Sequence, residues 1–150
     1  MTETSRGTFE ESAADPFEGA FMGGFNEALR LVIDDYSGDA VHCHVTVHDG
    51  LLQPYGIVHG GVYAALAESA ASLGGATWNS QREPGGQTVG VSNSTHFLRA
   101  VREGTLRVSA TPLHRGRTLQ LWQVEIQDES GRLVAKSDVR LANLAAARPI

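Results

Sequence analysis

At 150 residues, 41% of them hydrophobic and 19% charged, the chain has the size of one domain. Such a domain buries about 70% of the surface its unfolded chain exposes and needs no second core. The lone Cys43 excludes an internal disulfide, and no run approaches the roughly 18 apolar residues of a membrane span. The first residues lack the basic segment and apolar run of a secretory leader, so a soluble cytoplasmic protein is expected. The net charge of -5 hides an asymmetry: residues 1–50 hold ten acids and two bases, residues 51–150 ten bases and seven acids. Between Arg99 and Arg117 lie five arginines and His114 against Glu103 alone. That is too sparse for a nucleic-acid face and suits a small polyphosphate.

Residues 1–16 are polar and acidic without periodicity and read as a disordered or loosely held N-terminal arm, leaving 17–150 as a single domain. Phe17, Phe21, Met22 and Phe25, interleaved with Gly19, Gly23 and Gly24, suit a short helical or irregular lead-in. Ala28 to Asp34 reads as a first strand, turned by Ser37-Gly38-Asp39 into a second, Ala40 to His48. In the second, Val41, Cys43, Val45 and Val47 alternate with His42, His44, Thr46 and His48. Alternating histidines can chelate zinc or copper, but no Asp, Glu or Cys converges with these, so they read as a polar outward face. Asp49-Gly50 ends the strand, and a loop through Pro54 and Gly56 leads to a helix from Gly60 to Trp78. Alanine, glycine and serine dominate that helix, so its backbone can come close to whatever wraps it. Gly74 and Gly75 each cost about 1 kcal/mol relative to alanine, which implies either close packing or an end of regular helix there.

After a loop over 79–86, four segments have strand character: Thr88 to Leu98, Thr105 to Leu113, Thr118 to Asp128 and Leu133 to Leu144. The last two connections carry turn residues and are short enough for antiparallel hairpins. Two strands, one long small-residue helix and four strands predict an α+β layer in which a curved antiparallel sheet wraps the helix.

The chemistry gathers at the helix start. The amides of a first helical turn lack intrahelical acceptors and sit at the positive end of the macrodipole, so Gly60-Gly61 can polarise a carbonyl or hold an oxyanion. Glu68 lies inside the helix among alanines, where a carboxylate needs a reason to be. An electrophile activator with a nucleophile or base is what acyl transfer requires. Taken alone, a glycine pair is more often a cap or close-packing site than an oxyanion hole, and Glu68 has a second reading as a structural carboxylate at an oligomer seam.

Together, Gly56-Ile57-Val58-His59-Gly60-Gly61, Glu68, Phe97-Leu98-Arg99 with Gly104, and His114-Arg115-Gly116-Arg117 resemble the hotdog-fold acyl-CoA thioesterases over Asp15 to Leu144. More narrowly, the chain is similar to the phenylacetate-pathway and Arthrobacter-type 4-hydroxybenzoyl-CoA thioesterases. The resemblance implies that the Gly60 amide meets the thioester carbonyl, that Gln53 donates beside the same oxygen, and that Glu68 is the catalytic carboxylate. It also implies that Glu68 arrives from a neighbouring subunit, hence a homodimer or homotetramer. Ser72 stands where relatives often carry a threonine that orients the carboxylate or the attacking water. His59 either fixes the loop through backbone hydrogen bonds or touches substrate.

The same resemblance places Arg99, Arg102, Arg115, Arg117 and Thr118 near the coenzyme A nucleotide. Tyr63, Trp78 and His96 are the candidates for the acyl pocket. No metal or redox cofactor is implied, since coenzyme A belongs to the substrate. Direct attack by Glu68 and general-base activation of water both stay open. Two other classes share the fold. A noncatalytic acyl-CoA sensor is expected to carry an effector element such as a DNA-binding domain, and no helix-turn-helix precedes the core. A dehydratase or hydratase needs a histidine and an acid at the acyl chain, whereas Glu68 keeps the thioesterase spacing.

Overall fold

A computed structural model describes residues 19, 21–82 and 85–145. The expected N-terminal arm, residues 1–16, lies outside them, as does Phe17. In chain order come α1 (Phe25–Leu29), β1 (Val32–Tyr36), β2 (Val41–Thr46), α2 (Gly60–Ser80), β3 (Thr88–Phe97), β4 (Thr105–Arg115), β5 (Leu119–Gln127) and β6 (Leu133–Asn143). All six strands join one antiparallel sheet in the order β1-β2-β4-β5-β6-β3, and α2 lies against its inner face. The sheet follows from strict alternation. Val41, Cys43 and Val45 on β2, Leu106, Val108 and Ala110 on β4, and Trp122, Val124 and Ile126 on β5 are all buried, while the residues between them face outward. Pro112 is tolerated within β4 because the pairing with β2 has ended at Ala110 and the register against β5 shifts between Pro112 and His114.

One expected boundary is corrected. Ala28 and Leu29 do not begin a strand but close α1, and β1 starts four residues later. Arg30 takes a left-handed φ of 57° as a C-cap, and the Leu31 amide donates to Asn26 O at 3.1 Å. Packing holds this helix in place: Leu29 is buried, and Asn26 Oδ1 accepts from Ser69 Oγ of α2 at 2.6 Å. An apolar run of this length is ambiguous between helix and strand, and tertiary contact decides it.

The helix runs two residues beyond Trp78, straight through Gly74 and Gly75. Close packing is therefore the reason for the glycines. A Cβ on Gly74 would stand 2.5 Å from the Trp122 ring, and one on Gly75 would collide with Leu141 and approach Gln120 Oε1 at 3.0 Å. Overpacking of this kind costs about 1–3 kcal/mol, more than the roughly 1 kcal/mol of helix propensity that alanine would return.

At one edge, β3 pairs only with β6 and leaves Val89, Val91 and Phe97, with Leu98 just beyond it, exposed by 41 to 58%. Among the described residues, no helix is long and apolar enough to cross a membrane.

Candidate active site

The segment before α2 is built to aim the helix start. Asp49–Leu51 makes a single 3-10 turn, with His48 Nδ1 accepting from the Gly50 amide. A tight turn follows, in which the Gly56 amide donates to Gln53 O and the Gln53 amide to Ile57 O, both at 2.8 Å. Pro54 supplies a fixed φ, and Gly56 takes the left-handed φ of 75° that few other residues would adopt. Gln53 Oε1 accepts the Tyr55 amide, so the side-chain oxygen is held by the turn itself. Arg102 Nη1 clasps the turn by donating to Tyr55 O at 3.0 Å and Gly56 O at 3.2 Å. That guanidinium, expected at the nucleotide, is committed to shaping the loop.

At the helix start, His59 is the N-cap: its Nδ1 accepts from the Gly61 amide at 2.8 Å and its carbonyl accepts from Val62. With those two donors taken, the Gly60 amide is the first-turn donor beside the adjoining cleft. This cleft measures about 340 Å³, and its lining includes Gln53, Ile57, Gly60, Tyr63, Phe97 and Arg99. Gly60 must be glycine here, since a Cβ would stand 2.6 Å from the Phe97 ring. The Tyr63 and Phe97 rings lie 6.0 Å apart with a 35° tilt. Burial, with the charge of Asp128 second, pushes the Tyr63 hydroxyl up to about 12, so it stays protonated at neutral pH.

Glu68 does not line that cleft. Eight residues of α-helix set it about 12 Å down the axis from Gly60. Its carboxylate packs on β3, where Gly90 leaves room: a Cβ there would collide with Oε1 and lie 2.8 Å from Cδ. Asn93 Nδ2 donates to Glu68 Oε2 at 3.3 Å and to Ala64 O at 2.9 Å. Ser72, expected to orient the carboxylate, makes no hydrogen bond with it among the described residues. Asn93 and Gly90 went unnoticed in the sequence. The signal available was an asparagine among Ser92-Ser94-Thr95 inside a strand, where asparagine is disfavoured.

The remaining expected residues scatter. Arg99 borders the cleft. Arg117 and Thr118 line a separate hollow of about 340 Å³ with Asn79, Arg82 and Asn143, at the far end of α2. Arg115 is engaged elsewhere, donating to Gly38 O at 2.6 Å and to the Asp39 carboxylate at 2.7 Å. Trp78, expected at the acyl pocket, sits 15 residues beyond Tyr63, about 22 Å along the helix. Its ring lies between the Arg82 and Arg115 guanidiniums at 4.5 and 5.5 Å. His96 precedes the inward-facing Phe97 and pairs with Lys136, so strand alternation sends it to the opposite face of the sheet.

The histidines of β2 serve local contacts: His42 Nδ1 meets Ser109 Oγ at 3.2 Å and His44 Nδ1 meets the Asp34 carboxylate at 2.8 Å. Among the described residues, no group of three or more His, Cys, Asp or Glu side chains is arranged to hold a metal ion. Cys43 is buried, and that burial, with the charge of Asp34 second, pushes its thiol up to about 12, so it is no thiolate nucleophile.

The chain has counterparts among known proteins. Residues 55–135 match the model of the thioesterase superfamily. The chain belongs to that superfamily. A Mycobacterium tuberculosis protein provisionally named an esterase is 43% identical over 122 residues, spanning 81% of this chain and 87% of its own. The 1,4-dihydroxy-2-naphthoyl-CoA hydrolase of Escherichia coli is 36% identical over 116 residues, spanning 77% of this chain and 83% of its own. The crystal structure of a Haemophilus influenzae thioesterase superposes with a TM-score of 0.81 at 29% identity, covering 93% of this chain and 95% of that one. The sheet around one helix is thus the hotdog fold of the thioesterase superfamily, and the chain is by class a thioester hydrolase. The narrower subgroup stays a resemblance.

Proposed function

We propose that the chain hydrolyses an acyl-CoA or aroyl-CoA thioester to the free acid and coenzyme A, at a site that two copies complete. The observation that carries this reading is the unspent Gly60 amide at the head of a 21-residue helix, opening on a cleft beside Gln53. A nucleophile adds to the carbonyl carbon, negative charge gathers on the carbonyl oxygen at the Gly60 amide, and the C–S bond then breaks to release the thiolate, which is protonated. A donor so placed contributes about 10²–10³ to kcat. Either Glu68 takes the proton of an attacking water, which gives the acid directly, or it attacks the carbonyl itself to give a mixed anhydride that water then hydrolyses to the acid and free Glu68; both routes start from the carboxylate.

The roughly 12 Å between Gly60 and Glu68 within one chain favours a shared site, each cleft receiving Glu68 from a second copy. The open edge of β3, beside which Val89 and Val91 are exposed, offers the surface for that pairing in a homodimer or homotetramer. Arg99 at the cleft, and Arg117 with Thr118 in the second hollow, are the candidate partners for the diphosphate and 3′-phosphate. His59 acts through the cap it forms, by leaving Gly60 as the donor. The rings of Tyr63 and Phe97, together with the naphthoyl-CoA substrate named for the E. coli relative, make an aroyl-CoA the first substrate to try. A CoA-linked substrate and a single buried thiol fit a cytoplasmic enzyme.

The test is a panel of aroyl-, short- and medium-chain acyl-CoA thioesters with a thiol reagent to detect released coenzyme A. The wild type releases it, and Glu68→Gln loses roughly 10²-fold or more in kcat without losing the fold. Binding without release would mark a sensor instead. Near wild-type turnover in Glu68→Gln would remove that residue from the chemistry.

A further inference from the structure

On the inner face of β3, a line of uncharged polar groups ends on Glu68. Asn93, Thr95 and Phe97 alternate inward, opposite Val139, Ser137 and Ala135 of β6. Ser137 is 1% exposed, and its Oγ lies 2.8 Å from Thr95 Oγ1. Thr95 Oγ1 in turn donates to Asn93 Oδ1 at 2.6 Å. A threonine hydroxyl has one proton; with that proton given to Asn93, Ser137 is the donor of the first pair. The direction of the chain settles which way the Asn93 amide faces. Its oxygen takes the threonine proton, and its NH2 supplies one proton to Ala64 O and one to Glu68 Oε2. The opposite amide orientation would set Oδ1 against a carbonyl and a carboxylate, both acceptors only. Ala64 and Glu68 are one helical turn apart, so Asn93 straps both the backbone and the side chain of the turn that carries the acid.

We propose that Asn93, oriented by Thr95 and Ser137, is a positioning residue that holds the Glu68 carboxylate in its productive orientation. This deepens the hydrolase reading above and rests on it. Asn93 does not line the Gly60 cleft of its own copy; what it touches is the acid and the backbone of the helical turn that carries it. The groups around the acid leave it this role. Glu68 is the only charged residue of α2, and β3 carries only His96, which faces the other side of the sheet. The charged residues of β6, Lys136, Asp138 and Arg140, alternate with inward Ser137, Val139 and Leu141 and stand on that outer side too. An uncharged donor fixes the direction of the carboxylate, and none of these elements turns a counter-ion toward Glu68 to pull it out of line.

The experiment compares Asn93→Ala, Asn93→Asp and Thr95→Val in kcat and KM. It adds a 13C-carboxyl NMR spectrum of labelled glutamate at about pH 7, with the Glu68 signal assigned by its loss in Glu68→Gln. Asn93→Ala lowers kcat about 10-fold, the worth of a hydrogen bond to a charged group, with KM nearly unchanged and the Glu68 signal displaced. Asn93→Asp keeps the acceptor for Thr95 but sets a second carboxylate beside Glu68 in place of the donor, so it is worse than alanine. Thr95→Val falls between alanine and wild type. If Asn93 were only a strand residue satisfying Thr95, aspartate would be tolerated better than alanine and the Glu68 signal would stay in place; that result overturns the proposal. The spectrum reads Glu68 whether or not any thioester is cleaved. A wild type inert to the whole panel therefore sinks the hydrolase reading, and an unmoved Glu68 signal in folded Asn93→Ala sinks the positioning role.

Discussion

Glu68 has a seat made of two residues on a strand that is distant in sequence: Asn93 donates to one carboxylate oxygen and Gly90 yields space to the other. The glycine is steric, the asparagine electrostatic. Gly90→Ala therefore drives a methyl into the carboxylate, and the cheapest relief is a rotation of the Glu68 side chain away from β3. The expected outcome is a loss of kcat of about 10²-fold, the cost of a catalytic group misplaced by about 1 Å, with the thermal midpoint close to that of the wild type. Steady-state kinetics beside a melting curve checks it, and unchanged kcat would show that the acid needs no such seat. Gly60 is constrained from the opposite direction, by the Phe97 ring and not by an acid. The glycine pair that looked like a single motif is two positions with different reasons, since Gly61 serves the His59 cap.

Among elements, α2 depends on having no side chains at Gly74 and Gly75, where Trp122 and Leu141 press on it. Gly74→Ala should destabilise by about 1–3 kcal/mol despite the better helix propensity, readable as a lower denaturant midpoint at constant slope. A rise in the midpoint would mean that the Trp122 ring moves aside freely. The β5–β6 hairpin is tied by Asp128, whose carboxylate accepts from the Ser130 and Arg132 amides and from the Arg132 guanidinium. Burial works against the charged form, but those Arg132 and Ser130 contacts outweigh it and hold the carboxyl below its usual range. A group with its folded value lowered stabilises above its unfolded value, about 3.9, and that contribution fades as pH falls through the folded value. Asp128→Asn should therefore lower the melting temperature at pH 7, and the gap to wild type should narrow progressively as pH falls below about 3.9. A gap of the same size at pH 7 and pH 2.5 would count against the carboxylate as its origin.

The whole molecule, taken as one copy, sets the two proposed catalytic groups, Gly60 and Glu68, at two places on one helix. The proposed symmetric pair would reunite them, each subunit lending Glu68 to the other cleft. Glu68→Gln and Gly60→Val, the latter with a side chain in the space of the Phe97 ring, should each be inactive alone. Unfolded together and refolded, they should regain about one quarter of wild-type activity, because half of the dimers are mixed and each mixed dimer has one intact site. A mixture as inactive as its components would mean that each subunit works by itself.

Local pattern alone was enough for the strands of β2, β4, β5 and β6, whose alternation of apolar and polar residues demands one buried face. It also supplied the long helix and the glycine-histidine start, because a capped first turn is written in adjacent residues. Relations across the chain were out of its reach. That Ala28 and Leu29 close a helix depends on Asn26 meeting Ser69. That Arg102 and Arg115 hold loops together depends on backbone carbonyls 46 to 77 residues away. Trp78 left the expected pocket because a rigid helix carries it to the far end, and His96 left it because a strand reverses its face at every residue. Asn93 reaches Glu68 only because β3 crosses the sheet to pair with β6 and lies along α2. Sequence determined which groups the chemistry has at its disposal; tertiary structure decided which of them meet, since a hydrogen bond needs its partners within about 3 Å, whatever their separation along the chain.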